Sequence, residues 1–587
     1  MGCKGRLALE RCISEQTTQI EKLLETHAPS LDDRTFCSSL HTIYSNVRQV
    51  IIGLLSAQYA PELNLNPGDG PHGNAMCQQI LAVKDQMEVI WVKLQLPVLD
   101  YFAEWGSTFQ FNPTSKRVCR SQRVERRKML ARLRKVFKDI HRFYYRVLEH
   151  IVCDFDTSPV IAPYFLNALN LVRHSTNMPV KYHLSLNDTT TIAIVTIFYK
   201  CLLYLGSLHY QLVLLENQRA NTCANLFAKA TRYLIIATNL LPSYGSAYYQ
   251  LANIERDVGN HKTYVYYLVR SITARIPAQY SRDALLSSLE QEVGDFPSNI
   301  CGVDYMDRKR HTTGELYDRY FLTTLYYYLS WGEFLEKTIF KMEDVSQLHE
   351  MAFKELVGVL EQDNADTILR DVIILIGFFH KCFNHEQKHN RGLRLENLKP
   401  LHLKYLKFVS DYFVIILNNV SQRLTSKPSR QSSFLDVVRV LGSWMKSNKC
   451  ILQFFHRDRR FCNALAQLLS VILKCKGTND ASHLNHKPKR KYFFREDVIL
   501  KDFPCIGYSL TDFDDSEILT RQDVLNRLLG SPPNDEKLDE GVETELRLHA
   551  IACLSIKFLR GNSTGITLHF SEDKCIRIRG MVSEFDF

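Results

Sequence analysis

The sequence predicts an all-α chain with a small β addition near its end. Three observations carry this. Apolar residues recur at a spacing of three to four through most of the 587 positions, Gly (25) and Pro (18) are scarce, and only two short stretches alternate in the manner of strands. The length exceeds what one core accommodates and predicts roughly two to four structural units. With 45% hydrophobic and 23% charged residues, the composition excludes a mostly disordered chain.

Taken in order, residues 10–57 read as two amphipathic helices split by Pro29 and the Asp32-Asp33 turn. Residues 61–73 form a loop rich in Pro, Gly and Asn, and 76–110 resume as a helix around Trp91 that Pro97 is expected to kink. The longest helical pattern covers 116–153. Further helices are expected over 187–216, 220–241, 245–258, 261–275, 281–292, 315–342, 345–361, 364–383, 398–424, 433–447 and 459–475. The polar or Gly- and Pro-rich stretches 293–314, 384–397, 425–432, 476–492 and 528–543 read as linkers. Gly565 to Phe570 and Lys574 to Arg579 alternate on either side of Ser571-Glu572-Asp573, so a terminal β-hairpin is expected.

The 16 cysteines are scattered with no CxxC pair, no signal-peptide core stands at the start, and no uninterrupted apolar run reaches 18 residues. A soluble, intracellular, reduced chain of nucleus or cytosol is expected, with no membrane partner. Met1-Gly2-Cys3 is followed by Arg6 where a lipidation signal needs Ser or Thr. Phosphate-loop, zinc-protease and nucleophile-elbow motifs are absent. The acids Asp512, Asp514 and Asp515 lack the alternating strands that a metal-dependent nuclease needs around them. His380, Cys382, His385 and His389 have ligand chemistry but no second paired unit. The expectation is a binding protein with no catalytic residues, no metal and no cofactor.

The net charge is +10, with 73 Lys and Arg against 63 Asp and Glu. Residues 116–146 hold thirteen cations and two acids, a balance of +11, so the other 556 positions together carry −1. Within this segment Met129, Leu133, Val136, Ile140, Phe143, Val147 and Ile151 form one apolar stripe, and Lys128, Arg132, Lys135, Asp139, Arg142 and Arg146 the opposite one. Like charges at i,i+4 weaken an isolated helix by about a few tenths of a kcal/mol per pair, a loss that a polyanion would offset by counterion release. Two readings stand: a nucleic-acid contact through Arg126, Arg127, Lys128, Arg132 and Lys135, or a solvated face matched by acids from neighbouring helices. A second cluster, Lys487, Lys489, Arg490, Lys491 and Arg495, is interleaved with Tyr492, Phe493 and Phe494. It reads as a nuclear localisation signal, as a contact to unpaired bases, or as a charged loop whose aromatics enter the core. A third, Arg457, Arg459 and Arg460 among Phe454, Phe455 and Phe461, has the same interleaving, its rings reading as core before stacking platforms.

The segment from Leu205-Gly206 to Pro242 is followed by Ala247 to Pro277, with the two prolines 35 positions apart. This resembles the roughly 34-residue tetratricopeptide pattern, in which small residues let two antiparallel helices approach and Pro stops the second. Two ordinary helical hairpins are the alternative. Stacked helix pairs leave a groove suited to extended partners.

Leu240 to Ala252, continuing through Tyr266 to Pro277, is similar to the P-x-x-G-x-x-Y-x-Q-L-A … Y-x-R-S-L … P run of the Est/SMG family, which comprises telomerase accessory proteins and nonsense-mediated decay adaptors. Ile90-Trp91, Phe143-Tyr144-Tyr145, Arg495 to Pro504 and Arg547 to Phe558 match further family segments in the right order, so the resemblance covers about residues 80–560. It implies a 14-3-3-like tetratricopeptide domain over 1–292, a linker at 293–314 and a helical hairpin domain over 315–475. A basic linker, C-terminal helices and the β-hairpin then fill 476–587. Decay adaptors of the family bind phosphopeptides through a Lys and an Arg. The aligned positions here hold Leu96 and Tyr210, leaving Lys93 and His209 nearby as a weaker pocket. The family's nuclease-like domain has no counterpart before Phe587. Both departures favour the telomerase branch. That branch implies a non-catalytic subunit in the nucleus, at telomeres, whose partners are telomerase RNA, single-stranded telomeric DNA, a telomere end-binding protein and the telomerase catalytic subunit. A decay adaptor for a phosphorylated helicase is the alternative.

Overall fold

The structure is a computed structural model of the chain. It describes residues 2–26, 33–56, 71–109, 120–171, 182–184, 188–216, 224–294, 312–333, 342–382, 395–426, 434–475, 486–507, 512–560, 567–570 and 576–579. The architecture is the expected all-α class with two small two-stranded β pairs. Two compact units divide the chain: residues 1–242 with 256–259, and residues 243–255 with 260–587.

The first unit contains α1 (Gly2–Thr26), α2 (Asp33–Leu55), α3 (Pro71–Ile90), α4 (Leu96–Ser107), α5 (Arg120–Asp154), α6 (Pro163–Ala168), α7 (Thr189–Glu216) and α8 (Ala228–Leu240). α7 is its axis. By length and composition α7 could cross a membrane, but 89% of its most apolar window is buried, and it packs on α3, α5 and α8 as a core helix. The small residue of Leu205-Gly206 is needed there: a Cβ on Gly206 would stand 2.6 Å from Leu234 Cγ on α8. Trp91 stacks on Tyr204 at 5.0 Å. A short parallel pair, β1 (Phe155–Asp156) and β2 (Tyr182–His183), ties the end of α5 to the segment before α7.

Pro97 does not simply kink a continuous helix. Residues Trp91–Gln95 form a π turn, with the Leu96 N–H bonded to the Trp91 carbonyl, and Pro97 sits in the first turn of α4. Pro97 has no N–H for the carbonyl four residues back and its ring crowds that carbonyl; the wider turn relieves both.

The second unit contains α9 (Gly245–Val258), α10 (His261–Thr273), α11 (Ser281–Gly294), α12 (Thr313–Glu333), α13 (Met342–Glu361), α14 (Ala365–Cys382) and α15 (Pro400–Ser426). After these come α16 (Leu435–Ser447), α17 (Lys449–Arg457), α18 (Arg459–Cys475), the short α19 (Arg495–Ile499), α20 (Ser516–Thr520) and α21 (Val524–Leu528), and α22 (Glu540–Leu559). The expected terminal hairpin is present as β3 (Thr567–Phe570) and β4 (Ile576–Arg579), antiparallel with Leu568 opposite Ile578.

The boundaries differ from the expected ones. The break falls at Pro242 rather than after residue 292. One hydrophobic core runs from Ala252 to Leu559, joining what the sequence suggested were separate hairpin and C-terminal domains. The cause is α10, whose Val265, Leu268, Val269 and Ile272 are buried in that core together with Ile368, Val372 and Ile376 of α14. Gly377 permits the contact, since a Cβ there would lie 2.5 Å from Val269 Cγ1. At the head of α9, Gly245 lies against backbone: its Cβ would meet the Ser271 carbonyl oxygen at 2.6 Å and the Ala278 nitrogen at 2.7 Å.

Candidate nucleic-acid interface

α5 buries the seven apolar residues its spacing selected. The charged side is arranged differently from the expected stripe. Arg132 is buried (8% exposed), its guanidinium 5.2 Å from the Trp105 ring centroid, which removes it as a phosphate contact. Arg126 is half-buried, and one guanidinium N–H donates to the Glu216 carbonyl at 3.3 Å. The exposed midline is turned about 70° from the predicted one, at roughly 100° per residue, and passes through Arg127, Arg134, Lys138 and Arg142, all exposed.

Acids match some of these cations. Lys128 pairs with Glu125 at 2.9 Å, Arg134 with Glu216 at 2.7 Å, Arg142 with Asp139 at 3.4 Å and Arg146 with Glu149 at 2.8 Å. Asp139 is shared with His41, at 2.9 Å. Arg123, Arg127, Lys135 and Lys138 are exposed and have no acidic partner among the described residues. The helix therefore combines the two readings: part is a solvated, internally matched face, and four cations remain open to an external anion.

The residues expected for a weak phosphate pocket are not gathered into one. Lys93 is exposed in the π turn, two positions beyond Trp91 and so on the other side of the helix from the Tyr204 contact. His209 packs 4.9 Å from Phe137 and stacks on Tyr233 at 5.5 Å. Burial above all, then His141 and Lys229, pushes its pKa down to about 4, so it is neutral at pH 7 and attracts no phosphate by charge. The Tyr210 hydroxyl donates to the Asp257 carboxylate at 2.6 Å, which places an acid beside that position.

In the second unit the basic cluster at 487–491 splits. Lys487, Lys489 and Lys491 are exposed. Arg490 is 4% exposed and forks onto Asp515 with contacts of 2.7 and 3.0 Å, so it is not available to a phosphate. It also pairs with Asp497 and lies 4.4 Å from the Phe513 ring. Tyr492 and Phe494 are core residues, the third of the three readings of this segment, and within 486–492 Arg490 and Tyr492 are buried. Three further cations that sequence reasoning missed pair with acids in the same unit. Arg547 forks onto Glu496 at 3.0 and 3.1 Å. Arg439 bonds to Glu496 and Asp497, and Arg527 to Asp523 and Glu536. The Arg439 partners lie 57 and 58 residues away, so no local pattern marks it, whereas Arg527 and Arg547 each have an acid four positions earlier, Asp523 and Glu543. Glu496 is fully enclosed, which opposes its charge, yet Arg439 and Arg547 hold its pKa down to about 2.

The third cluster also divides by residue type. Phe454, Phe455 and Phe461 are fully buried. Arg457 is half-buried, Arg459 is exposed, and Arg460 is exposed and pairs with Asp411 at 3.1 Å. His380 accepts a hydrogen bond from the Trp444 indole at 2.9 Å, and burial with Lys381 pushes its pKa down to about 4. The Cys382 side chain, His385 and His389 lie outside the described residues. Among the described residues no group of three or more His, Cys, Asp or Glu is placed to hold a metal ion.

Fold and site define a helical scaffold that exposes cations on α5 and at 487–491. Comparison with known proteins places it. A family profile described as "Telomerase activating protein Est1" matches residues 85–216, and one described as "Est1 DNA/RNA binding domain" matches residues 230–510. The chain belongs to the Est/SMG family. It is 28% identical over 508 residues to the telomere elongation protein EST1 of Saccharomyces cerevisiae, spanning 83% of this chain and 70% of that one. It is also 28% identical to the nonsense-mediated mRNA decay factor EBS1 of the same yeast, over 83% of this chain but 56% of that one. A chain in the crystal structure of Est1 and Cdc13 shares the fold, with a TM-score of 0.75, 22% identity and coverage of 98% and 99%. The α5 ridge lies within the first profile. Arg457 to Arg460 and Lys487 to Lys491 lie within the second, whose description names nucleic acid.

Proposed function

We propose that the chain is a non-catalytic telomerase subunit. It binds telomerase RNA and single-stranded telomeric DNA, and it recruits or activates the catalytic subunit at chromosome ends through a telomere end-binding protein, in the nucleus. The observation that carries the nucleic-acid part is the set of exposed α5 cations that have no acidic partner among the described residues, Arg123, Arg127, Lys135 and Lys138. Family membership supports the telomerase part: two Est1 profiles match in order along the chain. Lys487, Lys489, Lys491 and Arg459 form a second, smaller set of exposed cations inside the profile described as DNA/RNA binding. The neutral His209 and the Asp257 beside Tyr210 weigh against a phosphopeptide adaptor.

Deletion in the source organism tests the assignment. Telomeres that shorten progressively over generations, with unchanged half-lives of transcripts bearing premature stops, are expected. Stabilised transcripts with telomeres of normal length contradict it and favour decay.

A further inference from the structure

The ridge of α5 is bordered by a strip of half-buried rings. Phe137, His141 and Tyr145 follow one another at i, i+4 and i+8 on α5, where they share one edge of the helix. His209 joins them from α7 and Tyr233 from α8. His141 and Tyr145 lie nearly parallel at 16° and 5.7 Å, His209 and Tyr233 at 22° and 5.5 Å, and the Phe137 ring stands edge-on to His209 at 4.9 Å. A contact of 3.3 Å between His141 Nε2 and the Tyr233 hydroxyl fixes the two pairs relative to each other. Elsewhere in this unit rings such as Tyr44, Phe143 and Tyr144 are fully enclosed; these five keep part of their surface in water.

Three cations surround the strip. Lys138 and Arg142, one helical turn apart, are exposed along the same side of the His141 row, and Lys229, also exposed, lies close enough to disfavour protonation of both histidines. Burial is the larger cause of that shift, so both imidazoles are neutral planes at pH 7. Neutral flat surfaces beside lysine and arginine are how proteins hold unpaired nucleotides, the rings taking the base and the cations the backbone. A duplex keeps its bases stacked on each other and cannot use such planes. We propose that the strip is a base-stacking site for single-stranded nucleic acid, with unpaired bases on the His141–Tyr145 and His209–Tyr233 planes and phosphates along Lys138, Arg142 and Lys229. The proposal rests on the nucleic-acid reading above and deepens it by naming unpaired bases as what this face recognises.

The test compares a fluorescently labelled oligothymidine with an abasic sugar–phosphate oligomer of the same length, binding to the full chain at fixed salt. The wild type is expected to favour the oligomer with bases by about tenfold or more, since each stacked base contributes about 1–3 kcal/mol. The double variant H141L/Y233L is expected to lose most of that preference with an unchanged salt slope, and Y233F, which keeps the ring, to retain it. Photocrosslinking of 5-bromodeoxyuridine to the wild type needs no variant and is expected to label Tyr145, His209 or Tyr233. Equal affinity for both oligomers, with crosslinks elsewhere, overturns the stacking site while leaving ridge binding intact. Failure of the wild type to bind any nucleic acid overturns the functional reading as well. Displacement of the oligomer only by an aromatic peptide, with no base preference, assigns the strip to a protein partner and also overturns the proposal.

Discussion

Charge reversal at Arg123, Arg127, Lys135 and Lys138 isolates the electrostatic claim. All four side chains are exposed and have no acidic partner among the described residues, so a bound phosphate would displace only counterions. Binding of a single strand changes log K by about 0.7 per phosphate for each decade of salt. Four contacts therefore contribute about 2.8 to the slope, or about a 50-fold loss of affinity between 50 and 200 mM salt. Lys128, Arg134, Arg142 and Arg146 already face Glu125, Glu216, Asp139 and Glu149, and each contributes less because an internal ion pair must loosen first. The assay is fluorescence anisotropy of a labelled single strand titrated at several potassium chloride concentrations. The variant R123E/R127E/K135E/K138E is expected to keep its helicity and unfolding midpoint and to lose about 3 from the slope. An unchanged slope refutes the reasoning. So does a slope lost only when Lys487, Lys489, Lys491 and Arg459 are reversed instead, which moves the interface to the second unit.

Other expectations concern the frame that holds these surfaces. Arg490→Ala breaks a buried fork onto Asp515 and is expected to destabilise the second unit by about 3–5 kcal/mol in urea unfolding, whereas Lys489→Ala, one residue away and exposed, is expected to change stability little. Glu496 has a pKa held below its unfolded value, so its contribution to stability is present above about pH 4.3 and lost as the pH falls toward 2; acid titration of Glu496→Gln is expected to show a shallower loss in that window than the wild type. Gly245→Ala forces a methyl onto two backbone atoms and is expected to cost about 1–3 kcal/mol or more, measured by thermal or urea unfolding.

Much of the fold was legible because amphipathic helices carry their packing face in their spacing. α5 is the clearest case: each of its seven predicted apolar positions is buried. Arg132 was not legible. Its charge placed it on the surface, but its cover is Trp105, 27 positions earlier on another helix, and the long arginine stem tolerates burial under an aromatic ring. Arg490 fails for the same reason. A run of lysines around Pro488 reads as a linker, while the acids that bury its one arginine, Asp497 and Asp515, come from beyond the run. The π turn before Pro97 follows from a local rule that was read as a kink, the right cause with the wrong geometry. The unit boundary at Pro242 was masked because α9 and α10 resemble a tetratricopeptide pair, and nothing in a repeat says which core its outer face joins. The Phe137, His141 and Tyr145 strip has a simple i, i+4, i+8 signature, but the spacing alone does not say that its rings stay half-exposed, because the partners His209 and Tyr233 come from other helices.

Crosslinking the chain to RNA in living cells, followed by sequencing of the bound RNA, tests the central claim most directly. Telomerase RNA is expected to dominate the crosslinked pool, and this signal is expected to fall when Arg123, Arg127, Lys135 and Lys138 are reversed. A diverse set of messenger RNAs, unaffected by the same reversal, would contradict it.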